Sequence, residues 1–271
     1  MDDHFISTQR EGAVLVITMD RPKVNAINHA MSRALYAAFR ELQDTPELMV
    51  GILCSASERV FSAGWDLKEV ATGDYHPEVY FDPVVGHGPG GFAGIIENWQ
   101  LNKPVIAVVR GAAVGGGFEM CLACDMILAS DDAYFQLPEL VRGFLPDAGG
   151  IQRLPRQLPP KVAAELMMTG RRLPAEEAAR WGLVHAVMPS DQVQARAKET
   201  ARTIAKSAPL ALQALKAMLR MNEGLSVEES MKRARPGNSG VPVFEQMIRS
   251  EDFFEGSRAF VERREPKWKG S

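Results

Sequence analysis

Residues 102–125, NKPVIAVVRGAAVGGGFEMCLACD, join an apolar run to a helical stretch through three consecutive glycines. The run at residues 104–109 has the uncharged, β-branched composition of a buried strand. Gly115, Gly116 and Gly117 carry no Cβ, so the backbone there can pass very close to a neighbouring segment or ligand. A helix start after them would direct N–H groups and their partial positive charge outward. We expect the helix to open at Glu119, which places a carboxylate beside a site suited to hold a developing oxyanion.

Further strand and helix patterns on both sides of this stretch predict the fold class. Helical spacing predicts a helix over residues 29–44, and residues 72–94 are expected to form a long loop that covers or shapes a site. Further apolar runs predict strands at residues 13–19, 49–54, 126–129 and 134–136. Strands that alternate with helices are typical of an α/β fold with parallel strands and crossover connections.

The last quarter of the chain is expected to be helical. Helical spacing covers residues 191–206, 209–222 and 227–234 with no strand between them. Apolar side chains on these helices need a partner surface, and a neighbouring subunit would provide one. We therefore divide the chain into residues 1–195, a core that carries the active site, and residues 196–271, a helical region for oligomerisation and for covering the site.

Composition and charge exclude several classes of protein. A net charge of −3 over 271 residues argues against nucleic acid as the main partner. The three cysteines are odd in number and have no histidine cluster beside them, which favours buried thiols in a reducing compartment over a metal or redox site. The first residues lack the basic and apolar regions of a secretory signal, and no apolar run is long enough for a bilayer. We expect a soluble cytoplasmic protein with no membrane partner and no metal.

Three segments that each follow a strand carry groups for chemistry. They are residues 61–67 (FSAGWDL), residues 115–119 (GGGFE) and residues 137–150, which begin with LPE. Together they offer two backbone N–H donors and two carboxylates at the kind of position where α/β sheets bind ligands. Removal of a proton α to a thioester carbonyl gives an enolate, and losing one donor to its oxygen typically costs about 3 kcal/mol. One carboxylate could then move the α proton while the other manages water at the β carbon.

Each feature also has a purely structural interpretation. The glycine triplet could only allow a helix to pack closely on a strand, and Trp65 could be a core aromatic side chain. Glu119 and Glu139 could be helix-start charges favoured by the helix dipole, the second of them solvated. We expect Asp66 to cap a helix that begins near Leu67.

Taken in order, these motifs resemble those of the enoyl-CoA hydratase/isomerase (crotonase) superfamily. The resemblance covers nearly the whole chain, and the matching segments are RPKVNAI (21–27), FSAGWDLK (61–68), residues 102–125, LPELVRGFLPDAGGIQRLP (137–155) and MTGRRLPAEEAARWGLV (168–184). It implies a spiral of ββα units and a C-terminal helical region that trimerises, often into a hexamer built as a dimer of trimers. It also implies an acyl-CoA thioester as substrate, with coenzyme A as part of that substrate and no separate cofactor.

The resemblance also implies residue roles. The N–H groups of Trp65 and Gly116 would form the oxyanion hole. Glu119 and Glu139 match the two glutamates that hold water in hydratases, where Glu139 would exchange the proton at the α carbon and Glu119 would act on water at the β carbon. The positions that match substrate and coenzyme A binding in relatives are Lys23, Ala26, Ala63, Gly64, Asp66, Leu67, Lys68, Gly115, Pro138 and Asp147.

Within the superfamily, the chain most closely resembles the carnitinyl-CoA dehydratase (crotonobetainyl-CoA hydratase) branch. The shared markers are GPGGFAG (88–94), LPDAGG (145–150) and the C-terminal residues 250–270. We therefore predict reversible hydration and dehydration of a short 2-enoyl-CoA. An enoyl-CoA isomerase and a catalytically silent acyl-CoA-binding subunit remain as alternatives.

A polar or cationic acyl group would match some side chains near these motifs. Asp147 could orient such a group or face a trimethylammonium cation. Aromatic faces attract cations as well, and Trp65, Phe81 and Phe92 are candidates for that contact. In the isomerase alternative, Glu139 or Asp147 would instead move the proton.

Overall fold

The computed structural model describes residues 5–71, 82, 84 and 86–271. The strands are, in chain order, β1 Ile6–Glu11, β2 Val14–Met19, β3 Val50–Ser55, β4 Val60–Ser62, β5 Val105–Val109, β6 Ala112–Val114, β7 Met126–Ser130, β8 Tyr134–Gln136, β9 Leu173–Pro174 and β10 Ala186–Met188. The helices are α1 His29–Asp44, α2 Leu67–Ala71, α3 Gly116–Ala123, α4 Gly150–Gln157, α5 Pro160–Thr169, α6 Ala175–Arg180, α7 Ser190–Ile204, α8 Pro209–Asn222, α9 Val227–Arg233, α10 Pro242–Met247 and α11 Asp252–Glu262. Within these described ranges, no helix is both long enough and apolar enough to cross a membrane.

The strands form two sheets that are built from a repeated unit. The larger sheet has the order β1-β2-β3-β5-β7-β10, in which only the β1–β2 pair is antiparallel. The smaller sheet has the order β4-β6-β8-β9, in which β4, β6 and β8 are parallel and β9 is antiparallel to β8. Each of the pairs β3–β4, β5–β6 and β7–β8 places its first strand in the larger sheet and its second in the smaller, and a helix follows. These ββα units confirm the predicted α/β fold.

The central strands of the larger sheet are buried on both faces. Alternate residues of β5 belong to different clusters: Val105 packs with the side chains around α1, whereas Ile106 packs with those of α7. Parallel strands that are covered on both faces have continuous apolar sequences, which is why β2, β3, β5 and β7 could be predicted. Sequence patterns do not reveal the remaining strands β1, β4, β6, β9 and β10, which are mostly short or partly exposed.

The predicted division between residues 195 and 196 falls inside α7. Val193, Ala197 and Ala201 of this helix are buried against the larger sheet, so the helix packs with the core on both sides of the predicted boundary. The next helix, α8, is attached to the core by an ion pair between Lys216 and Asp125 at 2.7 Å. An assembly role for the residues after the core stays a prediction.

The predicted loop over residues 72–94 lies partly outside the described residues, which omit 72–81, 83 and 85. Its end is packed into the core. Phe92–Gly94 form a single 3-10 turn that is buried, and the N–H of Ala93 donates to the Ser32 hydroxyl at 3.0 Å. This turn places the Phe92 ring beside the glycine triplet.

Candidate active site

The segments that follow β4, β6 and β8 line one cavity of about 340 Å³. These strands are parallel neighbours, so their carboxyl ends lie at the same edge of the smaller sheet, where α/β proteins bind ligands. Every predicted site residue lines this cavity except Lys23 and Gly64. Lys23 is exposed and lies next to Val24, which does line the cavity. Gly64 instead lies against the backbone of Gly116.

The glycine triplet brings the start of helix α3 into close contact with Phe92 and with Ser62 at the end of β4. Gly115 has a φ of +56°, and helix α3 begins at Gly116, three residues before the predicted start at Glu119. A Cβ on Gly116 would lie 2.5 Å from the Phe92 ring, and one on Gly117 would lie 2.4 Å from the Ser62 carbonyl oxygen. The close-packing interpretation of the triplet is therefore correct, and Gly115 and Gly116 line the cavity as well.

The N–H groups of Trp65 and Gly116 each point away from the hydrogen bond that the carbonyl of the same peptide accepts. The Gly64 carbonyl accepts a hydrogen bond from the Ile27 N–H at 2.7 Å, so the N–H of the same trans peptide, that of Trp65, is directed away from Ile27. The carbonyl before Gly116 accepts from the Phe118 N–H at 2.8 Å inside helix α3. The Gly116 N–H therefore points out of the helix N-terminus. Both residues line the cavity.

Glu119 is buried at 3% exposure in the first turn of α3. Its Oε1 accepts a hydrogen bond from the Gly150 N–H at 2.8 Å. Burial raises the pKa of Glu119 to about 8; the Gly150 hydrogen bond opposes this rise, and the carboxylates of Glu139 and Asp147 add to it. A position in the first helical turn would favour an ionised carboxylate, but burial outweighs that effect here.

Glu139 is not the solvated charge of the structural alternative. A Cβ built on Gly115 would lie 2.8 Å from the Glu139 Oε1, so this carboxylate rests against the glycine triplet. Its Oε2 is buried and has no hydrogen-bond partner among the described residues. Burial raises the pKa of Glu139 to about 7, while the Arg142 guanidinium lowers it by a smaller amount. The two glutamates, both with raised pKa values, therefore share one cavity.

Two further predicted residues have structural contacts that explain their positions. The Asp66 Oδ1 accepts a hydrogen bond from the Lys68 N–H at 3.2 Å at the start of α2, which confirms the predicted cap. Its Oδ2 forms an ion pair with Arg21 at 2.7 Å. The Trp65 ring packs edge-on against Phe144, with 5.6 Å between ring centroids. Both Trp65 and Asp66 nevertheless line the cavity.

Asp147 lies between two cavities. It lines the cavity that holds the glutamates, and it also lines a larger one of about 860 Å³. Burial raises the pKa of its carboxyl group. Of the aromatic candidates for a cation contact, Trp65 and Phe92 line the smaller cavity, and Phe81 lies outside the described residues.

Sequence reasoning missed several residues of the site. The most informative is Arg142, which lies three residues after Glu139 and lowers its pKa. Its guanidinium donates to the Pro138 carbonyl at 3.1 Å. Its place in the same LPELVRGF motif as Glu139 was an available signal. The other lining residues that were not predicted are Val24, Val114, Phe144, Leu145 and Ala148.

The cysteines beside the site are structural. The Cys121 thiol donates to the Gly117 carbonyl at 3.2 Å, and the Cys124 thiol donates to the Met120 carbonyl at 3.4 Å. Burial raises the pKa of Cys124 to about 12 and that of Cys121 well above its ordinary value, so both stay neutral thiols. The described residues contain no cluster of three or more histidine, cysteine, aspartate and glutamate side chains suited to a metal ion.

Comparison with known proteins shows the family of this chain. The family model described as enoyl-CoA hydratase/isomerase matches residues 9–271. A carnitinyl-CoA dehydratase of Salmonella arizonae is 48% identical over 96% of this chain and 97% of the relative, and one of Proteus mirabilis is 47% identical over 96% of each. The crystal structure of an enoyl-CoA hydratase from Mycobacterium tuberculosis matches with a TM-score of 0.86 at 34% identity, over 98% of this chain and 99% of that chain. An enoyl-CoA hydratase from Bacillus anthracis matches with a TM-score of 0.85 at 32% identity, over 99% and 100% of the two chains. The chain therefore belongs to the enoyl-CoA hydratase/isomerase family.

Proposed function

We propose that this protein is a hydro-lyase that reversibly adds water to a 2-enoyl-CoA thioester, with carnitinyl-CoA and crotonobetainyl-CoA as its substrate pair. The observation that carries the proposal is the convergence of Glu119 and Glu139, both with raised pKa values, in the cavity that Trp65 and Gly116 also line. The identity of 48% to a carnitinyl-CoA dehydratase supports the substrate pair.

In the proposed mechanism, the thioester oxygen accepts hydrogen bonds from the N–H groups of Trp65 and Gly116. Loss of the α proton moves negative charge onto this oxygen, and donors that are already oriented stabilise that charge without reorganising. The Gly116 donor adds the partial positive charge of the α3 N-terminus.

The two glutamates then divide the proton transfers. Between pH values of about 7 and about 8, Glu139 is ionised first and Glu119 still holds its proton. This state suits dehydration: Glu139 removes the α proton, Glu119 protonates the departing β-hydroxyl group, and water leaves. Hydration runs the same steps in reverse, so Glu119 takes a proton from water while Glu139 donates one to the α carbon.

The acyl group is proposed to be cationic. A quaternary ammonium group is favoured by a carboxylate and by aromatic faces. Asp147 supplies the carboxylate, and Trp65 and Phe92 supply aromatic rings at the cavity wall.

Two alternatives differ in what they require of the glutamates. An enoyl-CoA isomerase moves a proton along the acyl chain, with Glu139 or Asp147 as the base, and needs no second group to hold water. A silent acyl-CoA-binding subunit needs neither glutamate. The placement of both Glu119 and Glu139 at the cavity favours the hydro-lyase.

We propose a homotrimer or a dimer of trimers, held together through the C-terminal helical region of residues 196–271, in the cytoplasm. Coenzyme A enters as part of the substrate, and the chemistry above requires no further cofactor. Apolar side chains of α11 support an assembly role, since Phe260 is 85% exposed and Val261 is 80% exposed.

A panel of thioesters tests the function. The purified protein is incubated with crotonobetainyl-CoA, crotonyl-CoA and a 3-enoyl-CoA, and the products are identified by mass spectrometry. We expect water addition, with crotonobetainyl-CoA turned over fastest. A strong preference for crotonyl-CoA would contradict the carnitine assignment, and double-bond migration without water addition would favour the isomerase.

A further inference from the structure

Ser62, the last residue of β4, is completely buried beside both proposed donors. Its hydroxyl donates to the Asn25 carbonyl at 2.7 Å and accepts a hydrogen bond from the Gly64 N–H at 3.1 Å. Gly64 contributes the carbonyl end of the peptide whose N–H belongs to Trp65. The Ser62 hydroxyl therefore anchors the turn that carries the first donor.

The backbone of Ser62 also supports the second donor. A Cβ built on Gly117 would lie 2.4 Å from the Ser62 carbonyl oxygen and 2.9 Å from the Ser62 Cβ. A Cβ built on Gly64 would lie 2.6 Å from the Gly116 nitrogen. The turn after β4 and the start of α3 therefore touch through backbone atoms, with no flexible side chain between them. A shift of one segment displaces the other, because close-packed atoms leave no gap to absorb it.

The acceptor of the Ser62 hydroxyl is itself held firmly. Asn25 is 3% exposed and adopts a φ of +47°, a left-handed conformation that asparagine tolerates better than most residues with a Cβ. Its side-chain amide donates to the Ser55 hydroxyl at 2.8 Å and to the Phe61 carbonyl at 3.0 Å. Its side-chain oxygen accepts from the Arg21 N–H at 2.7 Å. The Asn25 carbonyl, which accepts the hydrogen bond from Ser62, is therefore held in place by its surroundings.

We propose that Ser62 is a positioning residue that sets the separation and direction of the Trp65 and Gly116 N–H groups. It does not line the cavity, so it acts on the substrate only through these two peptides. The inference rests on the proposed function, in which both N–H groups bind the thioester oxygen. Donors of this kind are effective only when they are aimed at the oxyanion within hydrogen-bond distance.

The test compares Ser62→Ala with a matched control, Ser130→Ala. Ser130 is also completely buried, and its hydroxyl also accepts a hydrogen bond from a glycine N–H, that of Gly111 at 3.4 Å. Its hydrogen bonds, with Gly111, Val109 and Asp132, do not involve the turn after β4 or the start of α3. We expect Ser62→Ala to lower kcat by about 10-fold to 100-fold through misplaced donors, with KM little changed. Ser130→Ala should lose comparable thermal stability and keep the wild-type kcat.

A spectroscopic measurement separates positioning from a loss of stability. Crotonyl-CoA with a 13C-labelled thioester carbonyl is bound to each protein, and the carbonyl stretch is measured by isotope-edited infrared spectroscopy. Hydrogen bonds to the oxygen lower this frequency. We expect the lowering to be smaller in Ser62→Ala and unchanged in Ser130→Ala. If Ser62→Ala does not fold, Ser62→Cys, which keeps a weak donor and acceptor, takes its place.

The outcomes distinguish this inference from the function on which it rests. A wild-type kcat and carbonyl frequency in the Ser62 variant would overturn the positioning role. A wild-type protein that binds the thioester and lowers its carbonyl frequency, yet adds no water, would contradict the hydro-lyase while the frequencies still decide the role of Ser62. A wild-type protein that binds no coenzyme A thioester would overturn both.

Discussion

Glu119 and Glu139 show how burial prepares single residues for proton transfer. Water stabilises an ionised carboxylate, and both side chains have lost much of that water, so their pKa values rise to about 8 and about 7. Glu119 is the more deeply buried, and its carboxylate accepts a hydrogen bond from the Gly150 N–H. Groups whose pKa values lie near the working pH can both donate and accept protons.

Replacing either glutamate by glutamine should remove most of the activity. We expect Glu119→Gln and Glu139→Gln each to lower kcat for hydration by at least about 100-fold, because a positioned acid or base typically contributes that much. Affinity for the coenzyme A thioester, measured by calorimetry, should change little. Glu176→Gln, at an exposed position on α6, is the control and should behave as wild type. Turnover at the wild-type rate in both active-site variants would end the two-glutamate mechanism.

The pH dependence of dehydration follows from the same pKa values. The rate should rise as Glu139 loses its proton near pH 7, because it then acts as a base. It should fall again as Glu119 loses its proton near pH 8, because the leaving hydroxyl group then has no acid. A profile of kcat/KM against pH should therefore be bell-shaped, with its maximum between these values. In Glu119→Gln the residual rate should lack the descending limb; a descending limb that persists would assign it to another group.

At the scale of elements, the site depends on the contact between the turn after β4 and the start of α3. Gly64 has a φ of +80°, and a Cβ built on it would lie 2.6 Å from the Gly116 nitrogen. Glycine therefore suits this position both for its backbone conformation and for the close contact with α3. Short-range patterns could predict that glycines lie here, but not that these two segments touch, because they are separated by about fifty residues of sequence.

Gly64→Ala and Gly12→Ala separate the cost of the contact from the cost of the backbone conformation. Gly12 has a φ of +60° and would have nothing within 4 Å of an added Cβ. Gly12→Ala should therefore cost about 1–2 kcal/mol for the left-handed conformation alone. Gly64→Ala should cost about 1–3 kcal/mol more through overpacking. Urea unfolding of both variants measures the difference, and equal destabilisation would refute the close contact.

At the scale of the whole molecule, the C-terminal helices attach to the core on one side and expose apolar side chains on the other. Lys216 and Arg220 of α8 bind the core, the first through Asp125 and the second through the Leu101 carbonyl at 3.3 Å. Leu215 and Leu219 of the same helix are 58% and 61% exposed, so the predicted need of the apolar side chains on these helices for a partner surface persists. Large exposed apolar surfaces are typical of subunit contacts.

Charge on α11 should weaken assembly. We expect the double variant Phe260→Glu, Val261→Glu to shift the protein toward monomer, because both side chains would place desolvated charges in an apolar contact. Size-exclusion chromatography with light scattering gives the mass. Met168→Glu, at a position 74% exposed on α5, is the control. If only the control variant dissociates, the C-terminal region is not the assembly surface.

The sequence alone determined the fold class and most of the candidate site. Strands such as β5 are buried on both faces, and their unbroken apolar runs reveal them without knowledge of their neighbours. The site residues could be named because they lie in short motifs at the ends of strands, and parallel strands bring those ends together. Their roles as catalytic and binding groups stay predictions.

Only the tertiary structure decided how these groups are held. Contacts between segments distant in the chain bury Glu119 and supply its hydrogen bond from Gly150. The contact of Ser62 with Gly117 also joins two distant segments. Short edge strands such as β9 form only because a neighbour supplies their partners, so local propensity does not reveal them. The glycine triplet depends on both sequence and tertiary structure. The sequence shows that these residues lack side chains, whereas the atoms that pack beside them come from other parts of the folded chain.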